Sequence, residues 1–202
     1  MKNLIAEQKN AYERDRQNME MLNVKLHDVK HHIRSLKGEI YDGEIAELDE
    51  SLEIYDSNVR CGNEVLDTLF TQKAFYCNRN GIKLTVLIDG EKLSFVRDHE
   101  LYILMCNALD NAVCGVKNLP PEKRVISVTS SARSGFVNIT VENYFDGTLD
   151  IKDGLPVTNK TGVGHGYGMK SMKLIAEKYD GTVKASTRGD TFVLDIMLCN
   201  NK

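Results

Sequence analysis

Between residues 22 and 59 the apolar side chains keep a single rhythm. Leu22, Leu26, Val29, Ile33, Leu36 and Ile40 recur at alternating spacings of four and three, and after a turn signal at Asp42-Gly43 the pattern resumes through Ile45, Leu48, Leu52, Tyr55 and Val59. Such a seam runs along one side of a helix, and an isolated helix cannot bury it. Two segments of this kind joined by a turn predict an antiparallel helical hairpin. Pairing two hairpins into a four-helix bundle covers both seams, so a homodimer is expected. Up to about Arg60 there is no proline and there are only two glycines among dense charge, which suits long helices. Residues 2–20 carry a looser stripe of Leu4, Ile5, Tyr12 and Met19, suited to a helix that continues from something upstream.

From Cys61 onward the texture changes to apolar runs, turn signals and a glycine-rich stretch, which sets a boundary near residues 57–62 and two domains, 1–60 and 61–202. The second part reads as a helix over 63–78, a strand over 82–88, a helix over 98–117, and strands over 124–130 and 136–143. A long polar loop over 144–163 follows, then a helix over 167–179 and closing strands over 182–187 and 191–198. Arg133-Ser134-Gly135 and Arg188-Gly189-Asp190 are the hairpin turns. The fold class is α+β, a mixed sheet with helices on one face, preceded by the helical hairpin. A loop of that length inside a compact domain counts against the assignment of elements unless it is a functional lid.

The 26 Lys and Arg against 29 Asp and Glu leave a net charge of −3, too balanced for a dedicated nucleic-acid binder. Cys61, Cys77, Cys106, Cys114 and Cys199 are odd in number, spread out and never in a C-x-x-C pair. That excludes a disulfide framework and a zinc ribbon and favours a reducing cytoplasm. No run approaches the apolar length of a membrane span, and the first residues lack the apolar block of a signal peptide, so the chain reads as soluble.

Three stretches carry chemistry. In Gly162-Val-Gly164-His-Gly166-Tyr-Gly168, alternate glycines open directly into a helix, so backbone N–H groups and the helix N-terminus could cradle a phosphate; a merely flexible glycine loop is the alternative. Asn107 and Asn111 stand four apart on one helix face and could hold a hydrated Mg²⁺ against phosphate oxygens, or could simply face solvent. His27-Asp28-Val29-Lys30-His31-His32 puts His27 at the flank of the buried seam, where another domain can reach it. His27 and His31 also have zincin-like spacing, so a zinc hydrolase competes, although no third ligand is marked out. His32, His99 and His165 read as a surface residue, a helix-start residue and a glycine-loop residue.

In this order the three stretches resemble the sensor histidine kinases of the GHKL superfamily, over nearly the whole chain, and most nearly the peptide-sensing quorum receptors of the accessory-gene-regulator type. The segments that carry the resemblance are Leu26 to His32, Gly62-Asn63-Glu64-Val65-Leu66-Asp67, the N box Leu109-Asp110-Asn111-Ala112, and His165-Gly166-Tyr167-Gly168-Met169-Lys170-Ser171. The resemblance implies a protein-histidine kinase using ATP and Mg²⁺, with His27 as phosphoacceptor, Asp28 polarising it, and a response-regulator aspartate receiving the phosphoryl group. It makes Asn111 a Mg²⁺ ligand, with Asn107 supporting the ion or the phosphates. Gly164, Gly166 and Gly168 become the phosphate loop. Asn143 becomes the adenine contact, where most histidine kinases have an aspartate, and the usual D-x-G-x-G box is absent. Residues 144–163 become the ATP lid, with Lys160 a phosphate contact. The ATPase relatives place a water-activating glutamate at the position of Asn107, which has no base to offer, so transfer is favoured over hydrolysis. A membrane sensor segment upstream would put the chain at the cytoplasmic face. A non-catalytic nucleotide-binding scaffold is the alternative.

Overall fold

The structure is a computed structural model that describes residues 59–146 and 168–200, the backbone of 151–152, 155–156 and 167, and residues 10, 13, 14 and 17. The expected hairpin of residues 22–58 lies outside the described residues. The chain divides between Val59 and Arg60, and the sheet with its helices belongs to the second unit.

Helix α1 (Glu64–Arg79) starts where Asn63 caps it: the side-chain oxygen accepts the N–H groups of Val65 and Leu66, each at 3.2 Å. Glu64 and Asp67 in its first turn complement the helix dipole. Strand β1 (Lys83–Leu87) leads through a single 3₁₀ turn (Gly90–Leu93) to the long helix α2 (Asp98–Val116). A second such turn (Pro121–Lys123) enters β2 (Val125–Arg133), which folds back into β3 (Phe136–Tyr144). Ser134 and Gly135 both have positive φ, 52° and 82°, as a two-residue hairpin turn of the primed type requires. After a short ladder of β4 (Ile151–Lys152) and β5 (Leu155–Pro156) come α3 (Tyr167–Lys178), β6 (Thr182–Arg188) and β7 (Thr191–Cys199).

The main sheet has the order β1-β2-β3-β7-β6, with β1 and β2 parallel and every other pair antiparallel. Helices α1, α2 and α3 pack against this sheet or one another, with α2 touching α1, α3, β2 and β3. That central position explains why α2 is apolar on most of its circumference, with Leu101, Ile103, Leu104, Met105, Ala108, Leu109, Ala112 and Val116 all buried. The sheet answers with alternating residues, Ile126 and Val128 from β2, Val137, Ile139 and Val141 from β3, Ile196 and Leu198 from β7. Each large side chain buried there contributes about 1.5 to 3 kcal/mol.

Two details depart from the pattern read along the chain. Strand β2 runs to Arg133, three residues further than expected, because Ser131, Ala132 and Arg133 pair with Asn138, Val137 and Phe136 right up to the tight turn. These residues are exposed, so no apolar alternation marks them. The stretch 144–163 is also not plain loop: Ile151 pairs with Pro156 and Lys152 with Leu155. The two residues between, Asp153 and Gly154 in the sequence, form a dipeptide favoured in two-residue hairpins.

Helices α2 and α3 run antiparallel, and one end of the pair is clasped by a buried carboxylate. Glu100, only 8% exposed, accepts hydrogen bonds from Lys178 and, at 2.5 Å, from the Tyr179 hydroxyl, which itself accepts the Arg97 N–H at 2.9 Å. Burial alone would raise the Glu100 pKa. The hydrogen bonds from Lys178 and Tyr179 and the Lys178 charge outweigh it and hold the group below its ordinary 4.5. A depressed folded-state pKa means stabilisation that is complete above pH 4.5 and lost as the pH falls through the lowered value. Glu100→Gln is therefore expected to cost about 2 kcal/mol at neutral pH, with the gap to the wild type closing under acid. Urea titrations from neutral to strongly acidic pH read this directly, and a gap independent of pH would refute the clasp.

All five cysteines are free thiols. Burial, reinforced by the Asp67 carboxylate, pushes the Cys61 thiol up to about 12, so it stays protonated and unreactive. Among the described residues no helix is long and apolar enough to cross a membrane.

Candidate nucleotide site

The far end of the α2–α3 pair collects the polar residues singled out by the sequence. The four residues of the N box go three ways. Leu109 and Ala112 are buried in the core, whereas Asp110 turns to α1 and pairs with Lys73 at 2.6 Å. Asn111 is exposed and donates its amide to the Met169 sulfur at 3.6 Å. One turn earlier Asn107 is half-buried and donates to the Ile103 carbonyl at 2.8 Å. Its Oδ1 lies toward α3: a Cβ on Gly168 would stand 3.2 Å from it. The first turn of α3 therefore packs directly on the amide stripe of α2, and glycine at 168 keeps the approach close.

The same stripe continues four residues on to Gly115, which meets Asn143 of β3. In the alternation of β3 the inward positions are Val137, Ile139, Val141 and then Asn143, so a carboxamide occupies what would otherwise be a core position. Asn143 is 4% exposed, and its Nδ2 donates to the Tyr144 carbonyl at 2.7 Å. Its Oδ1 has no hydrogen-bond partner among the described residues. A buried acceptor left unpaired costs about 1 to 3 kcal/mol, and such an orphan is satisfied by an ordered water or by a ligand that donates to it.

The chain's own geometry thus defines two poles joined by α2. At one, the N-terminus of α3 with its partial positive charge faces Asn107 and Asn111, an arrangement suited to anions. At the other, Asn143 offers an acceptor without a competing donor. Asn107 and Gly115 are eight residues apart, about 12 Å at a rise of about 1.5 Å per residue. Among the described residues no cluster of three or more His, Cys, Asp or Glu could hold a metal ion. The oxygen donors here are the amides of Asn107 and Asn111, which fit a hard cation shared with phosphates.

Of the residues expected to act, Asn107, Asn111, Asn143 and Gly168 fall on this one stripe and its two neighbours. His27, Asp28, Lys160, Gly164 and Gly166 lie outside the described residues. Sequence reasoning passed over Gly115 and quoted Met169 only within the run His165 to Ser171, without a role. The spacing 107, 111, 115 was a signal for Gly115, since it places all three on one helix face.

The sequence matches the GHKL domain family over residues 97–199. No curated protein matches it. Among solved structures, a nucleotide-free form of the catalytic domain of the histidine kinase ThkA is similar with a TM-score of 0.53 at 16% identity, over 70% of this chain and 93% of that one. A second nucleotide-free form of that domain, with 1,2-propanediol, gives a TM-score of 0.52 at 15% identity, over 68% and 92%. At such identity the likeness is one of fold.

Proposed function

The chain belongs to the GHKL domain family, and from that premise we propose that it is an ATP-dependent protein-histidine kinase of a two-component system, in the peptide-sensing accessory-gene-regulator-type branch. The observation that carries the nucleotide reading is the orphaned Oδ1 of Asn143. It accepts the exocyclic amino group of adenine, while the triphosphate extends along α2 to the N-terminus of α3. Bound Mg²⁺ would neutralise phosphate charge there, with Asn107 and Asn111 as its amide ligands. Gly164, Gly166 and Gly168 bring backbone N–H groups to the phosphates, and Lys160 adds a charge from the lid.

An imidazole nitrogen of His27 attacks the γ-phosphorus, the bond to the bridging oxygen breaks, and ADP leaves with the electron pair. Asp28 holds the proton on the other ring nitrogen, which keeps the attacking lone pair free. Asn107 cannot take a proton from water at neutral pH, so nothing at that position promotes hydrolysis. The phosphoryl group then passes to an aspartate of a response-regulator receiver domain. What supports the branch is the run Leu26 to His32 together with an asparagine at 143. The apolar seams of 22–40 and 45–59 support a homodimer, and a monomer by light scattering would reject it. The proposed place of work is the cytoplasm, at the membrane if a sensor segment precedes the chain.

Incubating the full chain with Mg²⁺ and γ-labelled ATP tests the reading. The expected result is a stoichiometric, acid-labile label that chases onto a receiver domain, with little further phosphate release once the acceptor is filled. Steady multiple-turnover release would instead make it an ATPase. ATP binding without any protein label would make it a scaffold.

A further inference from the structure

We infer that Gly115 is the positioning residue that aims the Asn143 carboxamide, so that recognition of the 6-amino group of the base depends on the absence of a side chain at 115; this rests on the reading of Asn143 as the base contact. Gly115 stands inside α2, where alanine would make the better helix, so its presence needs a local reason. It has no positive φ to supply one. The reason is contact. A Cβ at 115 would lie 2.6 Å from Asn143 Nδ2, and its next neighbours, Asn143 Cγ and the Tyr144 carbonyl oxygen, are both at 3.6 Å.

Only the amide nitrogen is within clashing distance, so the backbone of β3 has no need to move. The carboxamide does. Its Nδ2 is held at 2.7 Å by the Tyr144 carbonyl in a pocket where the residue is 4% exposed. Pushing that nitrogen aside breaks the bond that orients the group, and the rotation carries Oδ1 away from the direction in which it now waits for a donor. Gly115 thus acts through Asn143 rather than by touching the nucleotide.

The test compares ATP with purine riboside triphosphate, which lacks only the 6-amino group, binding to the full chain in the presence of Mg²⁺. Wild type is expected to prefer ATP by about fivefold, the worth of one hydrogen bond to a neutral acceptor. In Gly115→Ala the ATP affinity should fall to that of the analogue, whose own affinity stays within about twofold of wild type, and the protein should stay folded, because the gain of alanine in the helix offsets part of the cost of the broken Asn143–Tyr144 bond. A folded Gly115→Ala protein that keeps the full preference overturns the role of Gly115 while leaving Asn143 as the base contact. An unfolded Gly115→Ala protein also overturns it, because more than the carboxamide would then be obstructed. Absence of any preference in the wild type would remove the base contact itself, and this inference with it.

Discussion

Replacing Gly181 with alanine is expected to destabilise the domain by about 3 to 5 kcal/mol, a large share of the roughly 5 to 15 kcal/mol that holds a typical domain folded. Gly181 follows α3, where Asp180 takes a left-handed φ of 46° and the Gly181 N–H returns to the Ala176 carbonyl at 2.9 Å. The chain then enters β6 by passing against β7, so closely that a Cβ at 181 would stand 2.0 Å from the Met197 carbonyl oxygen. That oxygen belongs to a strand paired on both sides, to β3 and β6, and cannot withdraw without disturbing two ladders. The need here is for space rather than for unusual dihedrals. Gly189 provides the opposite case, with φ of 63° and nothing within 4 Å of its missing Cβ. Gly189→Ala should cost only about 1 kcal/mol. Denaturant midpoints of the two variants at unchanged slope check the contrast. Equal losses would mean that the close approach to Met197 does not govern position 181.

His27→Gln is expected to reduce autophosphorylation to background while ATP affinity stays near that of the wild type. Glutamine keeps hydrogen-bonding capacity but has no ring nitrogen with a lone pair able to attack phosphorus. The proposed acceptor belongs to the first unit and the proposed nucleotide contacts to α2, α3 and β3 of the second, so the substitution should remove the acceptor and leave ATP binding unchanged. Label counted on the protein after Mg-ATP incubation, with nucleotide binding measured separately, reads both halves. Label retained in the variant would move the acceptor to His31 or His32. Steady phosphate release persisting in it would replace the kinase reading with that of an ATPase.

The elements of the second unit were legible because each carries its own local signal. Asn63 before an apolar-periodic run marks the start of α1, the alternation Val137, Ile139, Val141 marks β3, and Ser134-Gly135 and Gly189 mark the turns. Where the signal was weak, the reading fell short: the exposed end of β2 has no alternation, and the β4–β5 ladder is only two residues per strand. For the site, the glycine pattern and the Asn107–Asn111 spacing suggested an anion and metal pole as one of two readings. Spacing alone favoured a solvent-facing pair. Packing adds that Gly168 and Met169 of α3 lie against those two amides, while Asn111 stays exposed.

What the sequence determined by itself is the set of short-range choices: which segments are helix or strand, where they turn, and which face of each is apolar. These follow from periodicity, caps and turn residues within a few positions of one another. The sheet order β1-β2-β3-β7-β6 and the antiparallel crossing of α2 and α3 were decided only in the tertiary structure. Both depend on which apolar faces meet, a competition among distant segments that no local pattern encodes. The same holds for the most informative atom of the site. Asn143 resembles any asparagine at the end of a strand until Gly115 and the Tyr144 carbonyl, brought up by the fold, bury its amide and leave Oδ1 unpaired. An unpaired acceptor is a property of a packed interior, because in an unfolded chain water would satisfy it.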